Sequence, residues 1–234
     1  LEKKQPDKPL APMLRGRVLV LKKDIDGARA QFQKALQLDK QYFPAVAGLA
    51  ALDMAANKPA EARKHFDELL KADPGNVPAK QALAALLTRT GNTGDEVAKL
   101  LSDAVKQNPN DVRAQLMLIN FQLDRRDTKA AITAAREANS ALTDHPEILM
   151  ALGRAYLTDN DVQQAVTIFN RLAVVQPKSA MPHLGLADAH LALKDRPSAV
   201  RSLKRALELQ PGLLQARRGL VALALADKQP GEAL

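Results

Sequence analysis

A ladder of small residues at near-constant spacing constrains this 234-residue chain more than any other feature. Ala28, Ala62, Val97, Ala131, Ala165, Ala199 and Ala233 follow one another at intervals of 34, 35, 34, 34, 34 and 34 residues. A second ladder runs four residues later through Phe32, Phe66, Leu101, Ala135, Phe169 and Leu203. A third runs seven later through Ala35, Leu69, Ala104, Ala138, Leu172 and Ala206. Offsets of four and seven lie on one stripe of an α-helix, so each period contributes one helix with a small-residue seam that a neighbour can approach closely. Upstream of each seam lies another apolar-periodic segment, such as Leu149, Leu152, Gly153 and Tyr156. Every period is therefore a pair of helices, A and B. Such a pair cannot bury its apolar face alone, and stacking on its neighbours stabilises it.

The punctuation agrees. Asp161 with Gln164, and Thr93 with Glu96, have capping-box spacing, and Asn57 before Pro59 and Asp195 before Pro197 read as further starts of B helices. Asp73-Pro74-Gly75, Asn108-Pro109, Gln176-Pro177 and Gln210-Pro211 read as ends, because Pro cannot continue the backbone hydrogen bonding. The one extra residue of the third period falls near Thr93-Gly94, in the turn between its helices. Pro146 comes three residues later than the usual Pro, which suggests a displaced junction between the fourth and fifth periods.

The segment Leu149-x2-Leu152-Gly153-x2-Tyr156, followed by Ala165-x3-Phe169 and Pro177, resembles the tetratricopeptide (TPR) pattern with Leu in place of the usual Trp. The resemblance covers nearly the whole chain and implies an all-α fold, an α-solenoid of antiparallel helix pairs. Six full repeats span 9–42, 43–76, 77–111, 112–145, 146–179 and 180–213, and a partial seventh spans 214–234. Residues 1–8, polar and Pro-bearing, are expected to be a poorly ordered leader. With no initiator Met and an end inside a repeat, the chain reads as a piece of something longer. The apolar A helix of repeat seven, with Leu220, Leu223 and Leu225, then lacks a complete B helix to cover it.

Composition removes most chemistry. Without Cys there is no disulfide, thiolate nucleophile, zinc finger or iron–sulfur cluster. No Gly-rich phosphate loop, HExxH or GxSxG occurs, so the chain is expected not to be an enzyme and to need no cofactor. His183 and His190 stand seven apart on one helix face, yet they occupy positions where repeats of this kind pack large side chains, and they read as packing rather than as a metal pair. His65 and His145 read as surface residues. The net charge of +8 sits at the two ends: residues 1–42 hold ten basic and five acidic residues, residues 180–234 eight and five, and residues 43–179 sixteen of each. With no continuous basic stripe and only seven aromatics, nucleic acid is not expected as a partner.

In the family that the chain resembles, positions 2, 5, 9, 12 and 13 of helix A line a concave groove. Carried onto this sequence, they include Met13, Arg17, Ala47, Ala51, Met54, Gln81, Ala85, Arg113, Leu116, Asn120, Met150, Arg154, Met181, Leu184 and Asp188. Four of the five Met stand at such positions, and the fifth, Met117, is adjacent. Met suits a surface that accepts varied apolar partners, and it equally fills gaps between A helices. The first alternative implies a protein or peptide partner, extended or helical, with Arg17, Arg113 and Arg154 setting its polarity. The Lys and Asn set with which chaperone-binding members grip a C-terminal carboxylate is absent: position 5 reads Met13, Ala47, Gln81, Leu116, Met150, Leu184 and Arg218.

Three stretches support a narrower resemblance. Asn108-Pro109-Asn110-Asp111-Val112-Arg113-Ala114, Pro146-Glu147-x-Leu149-x2-Leu152-Gly153-Arg154-Ala155, and Phe169-Asn170-Arg171-Leu172 are similar to the bacterial TPR-repeat lipoproteins of exosortase/PEP-CTERM and exopolysaccharide systems. That resemblance implies a membrane-anchored parent facing the periplasm and acting as a scaffold, with envelope or secretion machinery as partner and no membrane contact by this segment. A regulatory or substrate-recruiting region of a larger enzyme is the alternative. Direct polysaccharide binding is disfavoured by the shortage of aromatic platforms.

Overall fold

The computed structural model describes residues 7–92 and 94–226. Among these residues there are thirteen helices and no strand, so the all-helical class expected from the ladders is the one observed. The A helices are α1 (Leu10–Leu21), α3 (Phe43–Ala55), α5 (Val77–Arg89), α7 (Val112–Asp124), α9 (Pro146–Thr158), α11 (Met181–Ala192) and α13 (Leu214–Ala226). The B helices are α2 (Ile25–Leu38), α4 (Pro59–Ala72), α6 (Asp95–Gln107), α8 (Thr128–Ala141), α10 (Val162–Val175) and α12 (Arg196–Leu209). They form six hairpins and one further A helix, in two compact units, Leu1–Asn108 and Pro109–Leu234.

Every A-to-B turn has the same construction. The residue at position 15 of each repeat takes the left-handed conformation: Lys23, Asn57, Gly91, Arg126, Asn160 and Lys194, with φ between 58° and 85°. The next residue donates its N–H back across the turn, as Asp24 to the Leu19 carbonyl at 3.0 Å and Asp195 to that of His190 at 2.8 Å, which closes a Schellman-type end. Asp24, Asp127, Asp161 and Asp195 then cap the B helices, each carboxylate accepting from a backbone N–H three residues on, at 2.9–3.4 Å. Asn57 is not the cap that its place before Pro59 suggests. It occupies the left-handed position itself, and Lys58 stands at the N-cap without a side-chain bond. In the third repeat the turn is longer, and Gly94 is the N-cap of α6; Thr93, expected there, lies outside the described residues. The junction before α9 is not displaced. Pro146 is the first residue of α9, after a connection as short as those before α3 and α5.

The cores follow from size complementarity along the second ladder. Phe169 of α10 is fully buried between Gly153 of its own A helix and Gly185 of the next. A Cβ on either glycine would come within 2.5–2.6 Å of the ring. Phe32 sits in the same way between Gly16 and Gly48 in the first unit. Where the ladder carries Leu203, Gly219 of α13 receives it. The buried set of α8 is made only of alanines, Ala131, Ala134, Ala135 and Ala138, and its A-helix partner α7 supplies the bulk instead, with Leu118, Ile119 and Phe121. At the end of the described chain, Leu220 and Leu223 pack on the cluster of Leu184, Leu203 and Ala216, whereas Leu225 remains 60% exposed.

Within the first unit a buried carboxylate joins three helices. Asp53 of α3 accepts from Arg29 Nη2 of α2 at 2.6 Å and lies 2.8 Å from His65 Nε2 of α4. His65 is thus half-buried in an ionic cluster rather than free on the surface, because hairpin packing carries it to a residue twelve positions away. Burial alone would raise the Asp53 pKa, but the hydrogen bonds and charges of Arg29 and His65 outweigh it and hold the carboxyl below its ordinary 3.8. A depressed folded-state pKa contributes stability that is fully present above that ordinary value and is lost as pH falls through the folded one. Asp53→Ala is therefore expected to cost about 2 kcal/mol at neutral pH. Urea titrations should show the difference shrinking below about pH 4, and a pH-independent difference would contradict this account.

Candidate functional site

In the second unit the A helices α7, α9 and α11, together with the end of α10, surround an open groove of about 330 Å³. Its apolar floor comes from Leu116 of α7, Met150 and Ala151 of α9, Leu172 of α10 and Met181 of α11. Its polar groups are Asn120, Glu147, Arg154 and Gln176, and Pro146 forms one edge. Met150 is half-buried, while Met181 is 47% exposed and Arg154 is open to solvent. The helical repeat explains this convergence. Positions 2, 5 and 9 lie on one side of an α-helix, and consecutive A helices in the same register place those sides next to one another.

Five of the residues singled out from the sequence meet in this groove: Leu116, Asn120, Met150, Arg154 and Met181. Asp188 stands at position 9 of α11, as Arg154 does on α9 and Asn120 on α7, and it is exposed at the residue level. Desolvation by its surroundings nevertheless pushes its carboxyl above the ordinary 3.8. Arg113 is exposed in the first turn of α7, and Met117 is half-buried beside Leu118. The second unit's remaining candidate, Leu184, is buried in the cluster with Ala187 and Leu203.

The first unit's candidates divide in the same manner. Arg17 is exposed, and Ala47 and Met54 are half-buried. Met13 is buried at 6% exposure among Ala28, Phe32, Ala45 and Leu49, and Gln81 is equally buried on α5. Met13, Gln81 and Leu184 therefore belong to the packing and not to a free wall. Position 5 lies at the border between the seam and the open side, and its depth varies from repeat to repeat, buried at Met13, Gln81 and Leu184 and half-buried at Ala47, Leu116 and Met150.

Register could have found Glu147, which holds position 2 of the fifth repeat as Arg113 and Met181 hold it in the fourth and sixth. Leu172 belongs to the B helix α10 and Gln176 is its C-cap, and no A-helix position points to them. Chemically, the groove offers apolar contact, one amide pair and two opposite charges. Its lining contains no hydroxyl, thiol or imidazole. His183 lies half-buried on α11, where burial, followed by the nearby Arg205 charge, lowers its pKa below the ordinary 6.5. Among the described residues no three His, Asp or Glu side chains converge as metal ligands would.

A tetratricopeptide repeat family model matches residues 19–87 and 122–189, more than half of the chain. The chain belongs to the tetratricopeptide repeat family. Repeats of this family form surfaces for protein and peptide partners, and the hairpins described above are such repeats. The peroxisomal targeting signal receptor of Saccharomyces cerevisiae is 23% identical over 209 residues, which make up 85% of this chain and 34% of that protein. The chain thus spans about a third of that relative's length. Among solved structures, YrrB, described as a TPR protein with an unusual peptide-binding site, superposes with a TM-score of 0.60 at 18% identity, covering 85% of this chain and 97% of YrrB. Pseudomonas aeruginosa pilF gives 0.61 at 17% identity over 90% of this chain and 95% of its own. A MamA protein gives 0.60 at 19% identity over 73% and 92%. At these identities the structural likenesses show the fold. Among the described residues no helix is long and apolar enough to cross a membrane.

Proposed function

We propose that this chain is a non-enzymatic docking array that holds a peptide segment of a partner protein in the groove between α7, α9 and α11. One observation carries the reading: residues from three successive A helices, chosen by repeat position alone, meet around one open apolar cavity with polar groups at its rim. An exposed Met beside a half-buried one gives a floor that can adapt to different apolar side chains. The peptide-binding site described for YrrB, which shares the fold, is consistent with this use. The parent protein is a scaffold of bacterial envelope assembly, in an exopolysaccharide or exosortase (PEP-CTERM) system, anchored so that the repeats face the periplasm. The stretches Asp111-Val112-Arg113-Ala114, Leu152-Gly153-Arg154-Ala155 and Phe169-Asn170-Arg171-Leu172 support that placement by their likeness to such proteins.

The docking reading is tested with Met150→Glu and Met181→Glu. A carboxylate on the floor must be desolvated beneath an apolar side chain, so each variant should weaken binding of a captured partner peptide at least about tenfold. The helical melt should stay where it is. Unchanged affinity in both variants, measured by fluorescence anisotropy, would remove the groove from consideration.

A further inference from the structure

Three of the residues that line the groove stand on one stripe of α9. Glu147, Met150 and Arg154 follow one another at intervals of three and four residues, so their side chains share one side of that helix. A rise of about 1.5 Å per residue separates the two charged positions by about 10.5 Å along the axis, with Met150 between them. Both charged residues are exposed, and among the described residues neither forms an ion pair with the other or with a third group. The first turn of a helix suits a carboxylate, which accounts for Glu147 alone; Arg154 stands short of the last turn, where the dipole would favour a cation. The groove thus has an anionic end, an apolar middle and a cationic end. Leu116, Leu172 and Met181 complete the middle from the neighbouring helices.

We propose that the groove selects an extended peptide with an apolar residue at its centre, a basic residue two positions to one side and an acidic residue two positions to the other, the basic one on Glu147 and the acidic one on Arg154. This rests on the docking reading above and adds the chemistry of the occupant. Alternate residues of an extended chain point to the same face, so positions i, i+2 and i+4 of the guest meet the α9 stripe together. They span about 13 Å, and the flexible stems of the paired charged side chains take up the small excess over the stripe. The central side chain then rests on Met150, whose thioether adapts to its shape. Asn120 and Gln176, each with a donor and an acceptor, remain for the guest backbone, whose polar groups an extended chain does not satisfy internally. A guest with two basic or two acidic residues gains one pair and meets repulsion at the other end, so the groove rejects it without a steric clash.

The test uses the whole chain and fluorescein-labelled nine-residue peptides with a central Leu. Two residues to either side of the Leu they carry Lys and Glu in each order, Lys twice, Glu twice, or Gln twice as the control. The better of the two mixed peptides is expected to bind about five- to tenfold more tightly than the Gln control, an advantage that fades at high salt, whereas the doubly basic and doubly acidic peptides gain nothing over it. Measured against the Gln peptide, Glu147→Arg should move the preference to the doubly acidic peptide, and Arg154→Glu should move it to the doubly basic one. A purely structural role of either residue would change all affinities by one factor and leave these ratios as they were. If all peptides bind with equal affinity, or the variants keep the preference for the mixed peptide, charge selection is refuted and the docking reading stands. If none binds, including the Gln control, both fall.

Discussion

Phe169→Ala is expected to destabilise the second unit by about 3–5 kcal/mol, enough to lower its Tm by about 10–20 °C. The ring is fully buried, and it comes close to a glycine on α9 and another on α11, where any side chain would clash with it. Neither glycine has a side chain that could move into the space left behind, so most of the cavity would persist. The loss is also shared between repeats. Phe169 belongs to the fifth repeat, and its ring fills the seam against the sixth, so removing it weakens an interface as well as a hairpin. Hydrogen exchange should show faster opening in both α9 and α11. A loss confined to α9 and α10, or a shift in Tm of only a few degrees, would contradict this account.

Gly153→Val is expected to cost about 3 kcal/mol for the converse reason. A Cβ at Gly153 would lie 2.5 Å from Phe169 Cε1, far inside van der Waals contact, and the fully buried ring has little room to retreat, since a Cβ on Gly185 of α11 would likewise meet it at 2.6 Å. Helix propensity favours most side chains over Gly by about 0.5–1 kcal/mol, so on an exposed helix face the same change would stabilise. Here overpacking decides the sign. Combining Gly153→Val with Phe169→Ala should restore part of the loss, since the new side chain then enters the vacated space. A thermal-melt cycle in which the two effects simply add would show that the residues are not coupled.

The hairpins were legible because a seam of small and large apolar residues recurs at a fixed interval on one helix stripe, and Asp161 and Asp195 marked two of the B-helix starts. The left-handed residue at position 15 was not legible. Lys23, Arg126 and Lys194 have no side-chain preference for that conformation, and the Schellman closure around them imposes it. Asn57 misled for the same reason, since Asn suits both a cap and a left-handed turn. The Arg29–Asp53–His65 cluster leaves no trace in the sequence, because its members come from three helices at positions with no shared spacing. For the groove, repeat position identified the correct side of each A helix but not depth. Met13 and Met150 share position 5, yet Met13 is sealed among Ala28, Ala45 and Leu49 while Met150 faces the cavity.

The all-alanine contact face of α8 carries a mechanical consequence for its neighbours α7 and α9. Methyl groups offer little interlocking, so α8 can slide with small loss of contact energy where a phenylalanine in that place would catch. The backing of two groove-forming helices is therefore the B-helix seam of the second unit with the least side-chain bulk. A larger side chain on that face would have to be accommodated by moving α7 or α9, whereas between α9 and α11 the space is already filled by the Phe169 ring.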